Sequence, residues 1–214
     1  MVRHPLRKRT RKQKLICDAV ILLLCVPLLI AVLDFPIPTA ELAFRSAEAR
    51  HFFGRGEIVL DVNPDALGKD AQELYLNRAF VSRRGNWFAY AEVRRELLFW
   101  QPSGGLTALE HDPSKPLELL AAKLWAGRWL LVACDLPEAV SAEVTYPAND
   151  GGWHLNTRRE TAAGQGCFFF ALDEVWQNRY GPEEVRLRCY DAAGNLIYET
   201  PTPAVWSGEY GISQ

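Results

Sequence analysis

Nineteen residues, Leu15 to Leu33 (LICDAVILLLCVPLLIAVL), carry a single charge and directly follow a segment rich in lysine and arginine. As a helix rising about 1.5 Å per residue, this run spans about 28 Å, close to the hydrocarbon thickness of a bilayer. Asp18 lies at its basic end, within reach of the headgroups, and Pro27 is a kink that membrane helices tolerate. The flank of Arg3, Arg7, Lys8, Arg9, Arg11, Lys12 and Lys14, with no acid among them, predicts a cytoplasmic N-terminus and an extracytoplasmic C-terminus at the cell membrane. The apolar run is longer than a signal-peptide core. It is followed by Asp34-Phe35-Pro36-Ile37-Pro38, which lacks the small residues a cleavage site needs. Retention as a single-pass signal-anchor is therefore expected over cleavage.

This reading divides the chain into a basic tail (1–14), a transmembrane helix (15–34), a spacer with a juxtamembrane helix (35–56) and a β-rich extracytoplasmic domain (57–214). A candidate internal boundary is Asp112-Pro113-Ser114-Lys115-Pro116. After the basic tail, the remaining 200 residues hold 17 basic and 26 acidic groups. An acidic body is a poor match for nucleic acid, whose binding depends on neutralising phosphates. Charged residues are 23% and hydrophobic ones 49%, which fits a globular domain rather than a disordered one.

Beyond the apolar run, Thr39–Phe53 reads as a helix. Thr39 can cap it, Ala40, Ala43, Phe44 and Ala47 recur on one face, and Gly54 stops it. Strand signals dominate from Glu57 onward. Glu57–Val62 is followed by Arg78–Arg83 and Trp87–Val93 around Arg84-Gly85-Asn86. Glu96–Gln101 and Leu106–Glu110 flank Pro102-Ser103-Gly104-Gly105 and read as a hairpin. In Ala139–Tyr146 the alternation places Ala142, Val144 and Tyr146 on one face. Cys167–Leu172 is continuously apolar, as a strand buried on both faces should be. Val185, Leu187 and Cys189 alternate with polar residues, and Asp191-Ala192-Ala193-Gly194 forms a tight turn.

The segment VRLRCYDAAGNLIYET (185–200) resembles the closing hairpin of bacterial immunoglobulin-like and fibronectin-like extracellular domains. The resemblance implies a mainly β, immunoglobulin-like β-sandwich ectodomain with Val185, Leu187 and Cys189 facing its core. It carries no activity.

Three cysteines, Cys134, Cys167 and Cys189, lie outside the apolar run, so a complete disulfide framework is excluded. Cys167 and Cys189 are the candidate pair for a single bridge; buried free thiols are the equal alternative. The histidines are isolated, with no HExxH or paired CxxC, so no metal or other cofactor is expected. The neighbouring His111-Asp112 could orient an imidazole for catalysis, although neighbours of this kind are usually solvated loop residues. Neither a nucleophile elbow, a P-loop, a dinucleotide fingerprint nor a DxD motif is present. Catalysis is not expected.

Tryptophan is the unusual feature, with seven residues, all beyond the apolar run. Trp125 and Trp153 adjoin turns, and Trp176 lies in a polar loop. These three are the candidate recognition residues, against core packing as the alternative. The expected function is a non-catalytic, membrane-anchored binding or scaffold protein of the cell envelope. Its partners would be membrane lipid and another envelope protein, with no nucleic acid. The alternatives are a wall-glycan-binding module or envelope enzyme, and a sensor acting through a partner.

Overall fold

The computed structural model describes residues 10–33, 37–62, 77–124, 129–161, 166–171 and 181–212. Side chains at 29–31, 33, 122–124 and 171 lie outside that description. Helix α1 (Arg11–Leu33) starts at a reciprocal cap. Thr10 Oγ1 accepts from the Gln13 amide, and Gln13 Oε1 accepts from the Thr10 amide. Its apolar side chains point into open space, with Leu22 69%, Leu23 75% and Leu24 64% exposed. None of the three core clusters contains a described side chain of α1. Among the described residues, no helix is long and apolar enough to cross a membrane. Helix α1 opens on Arg11, Lys12 and Lys14 and carries Asp18 one turn later. The expected helix thus forms, but a transmembrane helix is not found.

Helix α2 (Ala40–Arg50) forms where the sequence places a helix, with Thr39 Oγ1 accepting from the Leu42 amide. Ala40, Ala43, Phe44 and Ala47 are buried along one stripe, against Phe80, Ala91 and Val93 of the first sheet. Buried Glu48 fastens the helix from its last turns. Its carboxylate accepts from Ser82 Oγ (2.6 Å), the Gly56 amide (3.2 Å) and Arg45 (2.7 Å).

Twelve strands make three antiparallel sheets among the described residues. The first contains β1 (Glu57–Val62), β2 (Asn77–Arg84), β3 (Trp87–Glu96), β4 (Phe99–Pro102) and β5 (Thr107–Glu110), in the order β1-β2-β3-β4, with β5 also on β3. The long β3 pairs with β5 along its first half and with β4 along its second. The second sheet is β10 (Cys167–Ala171), β7 (Trp129–Cys134) and β6 (Leu117–Leu124), with β7 central. The third runs β12 (Leu196–Glu199), β11 (Arg186–Tyr190), β8 (Ser141–Asn149), β9 (Trp153–Thr161). A short helix, α3 (Val205–Gly208), follows and buries Trp206.

The second sheet lies between the other two, which explains its composition. Along β7, Trp129, Leu131 and Ala133 face the first sheet, while Leu130, Val132 and Cys134 face the third. Along β10, Cys167 and Phe169 face one way, Phe168 and Phe170 the other. A strand packed on both faces has no solvent side to keep polar, hence the unbroken apolar runs WLLVAC and CFFFA. The layers are therefore α2, first sheet, second sheet, third sheet.

Two expectations are corrected. A two-sheet sandwich becomes three stacked sheets, because α2 covers the outer face of the first and frees both its faces for burial. The expected hairpin across Pro102–Gly105 does not form: β4 and β5 each pair with β3 and not with each other. The chain reverses instead at Leu97-Leu98, since Glu96 pairs with Phe99.

Candidate functional site

His111 closes the first sheet and leads, through 112–116, into the second. Its ring is fully buried, against the edge of Phe88. Nδ1 lies 2.9 Å from Glu118 Oε2 and Nε2 lies 3.0 Å from Asp135 Oδ2. Asp135 Oδ1 in turn accepts from Arg83 (2.9 Å), and Glu118 Oε1 from Lys115 Nζ (2.7 Å). The Asp112 amide donates to Glu118 Oε2 at 2.8 Å. Five charged or titratable groups thus form one chain between the first and second sheets: Arg83, Asp135, His111, Glu118, Lys115.

Ionised carboxylates only accept, so the imidazole satisfies both when each ring nitrogen bears a proton. Burial works to raise the Asp135 carboxyl, but Arg83 and His111 outweigh it and hold it below its ordinary value. For Glu118, burial is likewise outweighed by Lys115, the Asp112 amide and His111. Both ring nitrogens face carboxylates and no part of the ring is exposed, so a substrate has no path to either nitrogen. The arrangement is a clamp.

Asp112, the neighbour expected from the sequence, turns away to its own loop and accepts from the Ser114 amide (3.0 Å) and hydroxyl (2.7 Å). Glu118 and Asp135 were missed in the sequence. They stand seven and twenty-four residues from His111, Glu118 in β6 and Asp135 just past the end of β7, and nothing next to His111 points to either.

Trp125 and Trp176 lie outside the described residues. Trp153, at the β8–β9 turn, is 37% exposed and leans on Tyr210, with ring centroids 4.3 Å apart. Tyr210 donates its hydroxyl to Glu184, and Trp206 Nε1 donates to the Glu184 carbonyl at 2.8 Å. Burial, then the Glu184 carboxylate, push the Tyr210 hydroxyl up to about 12. Trp153 therefore fastens the C-terminal segment while keeping one edge in solvent. Trp129 is core, stacked on Phe169 at 4.7 Å.

Of the two alternatives for Cys167 and Cys189, the structure has the free thiols and not the bridge. Both thiols are free and buried, and they face opposite sides of the second sheet's layer. Cys189 instead hydrogen-bonds Cys134, which together with burial holds its thiol well above the usual range. Burial pushes Cys167 up to about 12. Among the described residues, no group of three or more His, Cys, Asp and Glu side chains is placed to hold a metal ion.

Among the described residues the surface carries a groove beside α2 and two apolar projections at positive φ, Phe52 (93% exposed, φ +56°) after α2 and the β3–β4 tip. The groove, about 460 Å³, runs between α2 and the β1–β2 edge, past Arg45, Asp61, Arg78 and Phe80. Its charges are largely paired internally, Arg78 with Asp61 and Arg45 with Glu48. At the β3–β4 tip, Leu97 is 94% and Leu98 73% exposed. Leu97 holds φ +56°, a conformation costly for a side chain with a Cβ.

No curated protein and no solved structure matches the chain. Residues 36–210 match a family described as a domain of unknown function, a span that begins after α1 and takes in all three sheets. The chain belongs to that family, DUF5044.

Proposed function

We propose that this is a membrane-anchored, extracytoplasmic binding or scaffold protein of the cell envelope, non-catalytic, with α1 as its lipid-embedded anchor. The observation that carries the reading is α1 itself: an apolar helix whose described side chains join no core cluster. Water is a poor solvent for such a surface, and lipid a good one. The apolar sequence extends to Leu33, and the seven basic residues among the fourteen before it orient it N-in. The second and third sheets support the immunoglobulin-like part of the reading. They set three strands against four, and the chain crosses between them after β7, β9 and β10, as in immunoglobulin-like and fibronectin-like sandwiches. Domains of that architecture serve widely as binding modules, a fold-level analogy.

The site geometry favours binding over catalysis: the buried histidine, His111, faces a carboxylate with each ring nitrogen. A wall-glycan reading draws on the partly exposed Trp153, tilted against Tyr210, since an exposed aromatic ring can hold a sugar face. Extraction of cell membranes with alkaline carbonate tests the anchor. The full chain should stay in the pellet, and a Leu22→Arg/Leu23→Arg variant should be released. A native chain found in the supernatant contradicts the reading. Crosslinking in intact cells should then recover an envelope protein; recovery of wall polymer alone favours the glycan reading.

A further inference from the structure

We propose that the β3–β4 hairpin tip is a second membrane contact, Leu97 and Leu98 entering the headgroup region of the bilayer that holds α1. The inference rests on the anchor reading above. Glu96 pairs with Phe99, so Leu97 and Leu98 form a two-residue loop. Such loops favour Gly, Asn or Asp where φ is positive. Here Leu97 takes φ +56° and stands 94% exposed, with Leu98 73% exposed beside it. Strain spent on presenting two large apolar side chains to the outside points to a function for them.

Position selects the occupant. The Trp100 amide donates to the Ile37 carbonyl at 2.8 Å, so β4 receives the chain only four residues after α1 ends. At no more than about 3.5 Å per residue, plus one strand spacing, the tip lies within roughly 25 Å of the end of α1. Ile37 runs antiparallel to β4, so Pro38 and Thr39 head toward the tip and α2 begins there, with Leu42 51% exposed on its first turn. Exposed Arg94 and Arg95 stand just behind the leucines, offset by one acid, Glu96, which pairs with Arg94. On a body that is otherwise acidic, this is a local match for anionic headgroups.

Size argues the same way. Two leucines are far too small for a stable protein–protein interface. A bilayer needs no such area when the tip is already tethered to it, because insertion is then intramolecular.

The test uses the full chain in vesicles of phosphatidylcholine and phosphatidylglycerol. An environment-sensitive dye is placed at Leu98→Cys or, as a control at the opposite end of β3, at Asn86→Cys, both in a Cys17→Ser/Cys25→Ser background. The expected result is several-fold stronger quenching by acyl-chain nitroxides at position 98 than at 86. That difference should shrink on Arg94→Gln/Arg95→Gln substitution. Vesicles that float with the protein while the dye at 98 stays as accessible to water as that at 86 overturn the hairpin contact and leave the anchor standing. Protein that fails to float with the vesicles overturns the anchor reading and this contact with it.

Discussion

Asp135 Oδ2 lies 3.0 Å from His111 Nε2, and this contact ties the end of β7 to the end of β5, hence the second sheet to the first. Its counterpart, Nδ1 to Glu118 at 2.9 Å, makes the imidazole a two-sided bridge. Removing the ring takes one hydrogen-bond partner from each of two partly buried carboxylates. His111→Leu should therefore cost about 2–3 kcal/mol, the range for stranding partly buried charges. Urea unfolding checks this, and an unchanged midpoint contradicts the clamp.

The same carboxylates set the acid limb of stability. Asp135 and Glu118 titrate below their ordinary values of 3.8 and 4.5 in the folded chain. A depressed carboxyl stabilises above its unfolded pKa, and that contribution is lost as pH falls through the folded value. Stability should thus hold down to about pH 4.5 and then decline. An Asp135→Asn variant should show a shallower decline, measured as urea midpoint against pH. Parallel curves for the two proteins would contradict the assignment.

Tyr210 gives the opposite sign at the alkaline end. Its hydroxyl is raised from 10.0 to about 12, favouring the neutral form, which donates to Glu184. This contribution is present below the unfolded value and disappears as pH rises through the folded one. Absorbance titration of tyrosinate should show Tyr210 among the late-ionising residues, and Tyr210→Phe should shrink the late phase by one residue. A late phase of unchanged amplitude in that variant would contradict the raised Tyr210 hydroxyl.

Glu48 predicts how α2 is held. It gathers Ser82, Gly56 and Arg45 in a buried position, and Arg45 also donates to the Gly56 carbonyl at 2.7 Å. Glu48→Ala leaves the Ser82 hydroxyl and the Gly56 amide without this acceptor and takes one partner from the Arg45 guanidinium, and should cost about 3 kcal/mol. Limited proteolysis should then cut within 40–56 sooner than in the native chain. Equal cutting rates would count against the contact.

Cys134, Cys167 and Cys189 are free and buried. Under native conditions they should resist a water-soluble thiol reagent, and in denaturant all three should react. An intact mass two hydrogens short, or a thiol missing from the denatured count, would reveal a bridge.

Much of the layering was legible in local pattern. The unbroken run in β10 marked a strand with no solvent face, and the alternation Val185, Leu187, Cys189 marked a strand with one. The turn at Leu97-Leu98 was not legible, because leucine stands where the positive φ would ordinarily select glycine. The first sheet was hidden as a separate layer because β2 and β3 bury both faces only once α2 is laid across them. The clamp was invisible for a related reason. His111 and Asp135 meet through packing between sheets, and nothing in either local sequence encodes the other. Adjacency pointed to Asp112, whose carboxylate serves its own loop.

The side of the membrane on which the sheets fold tests the account most directly. Ala193, in the exposed β11–β12 turn, can be replaced by cysteine and challenged with a membrane-impermeant maleimide in spheroplasts. The account predicts prompt labelling of Ala193→Cys without lysis, and labelling of a Val2→Cys variant only after lysis. Protection of Ala193→Cys until lysis would contradict it.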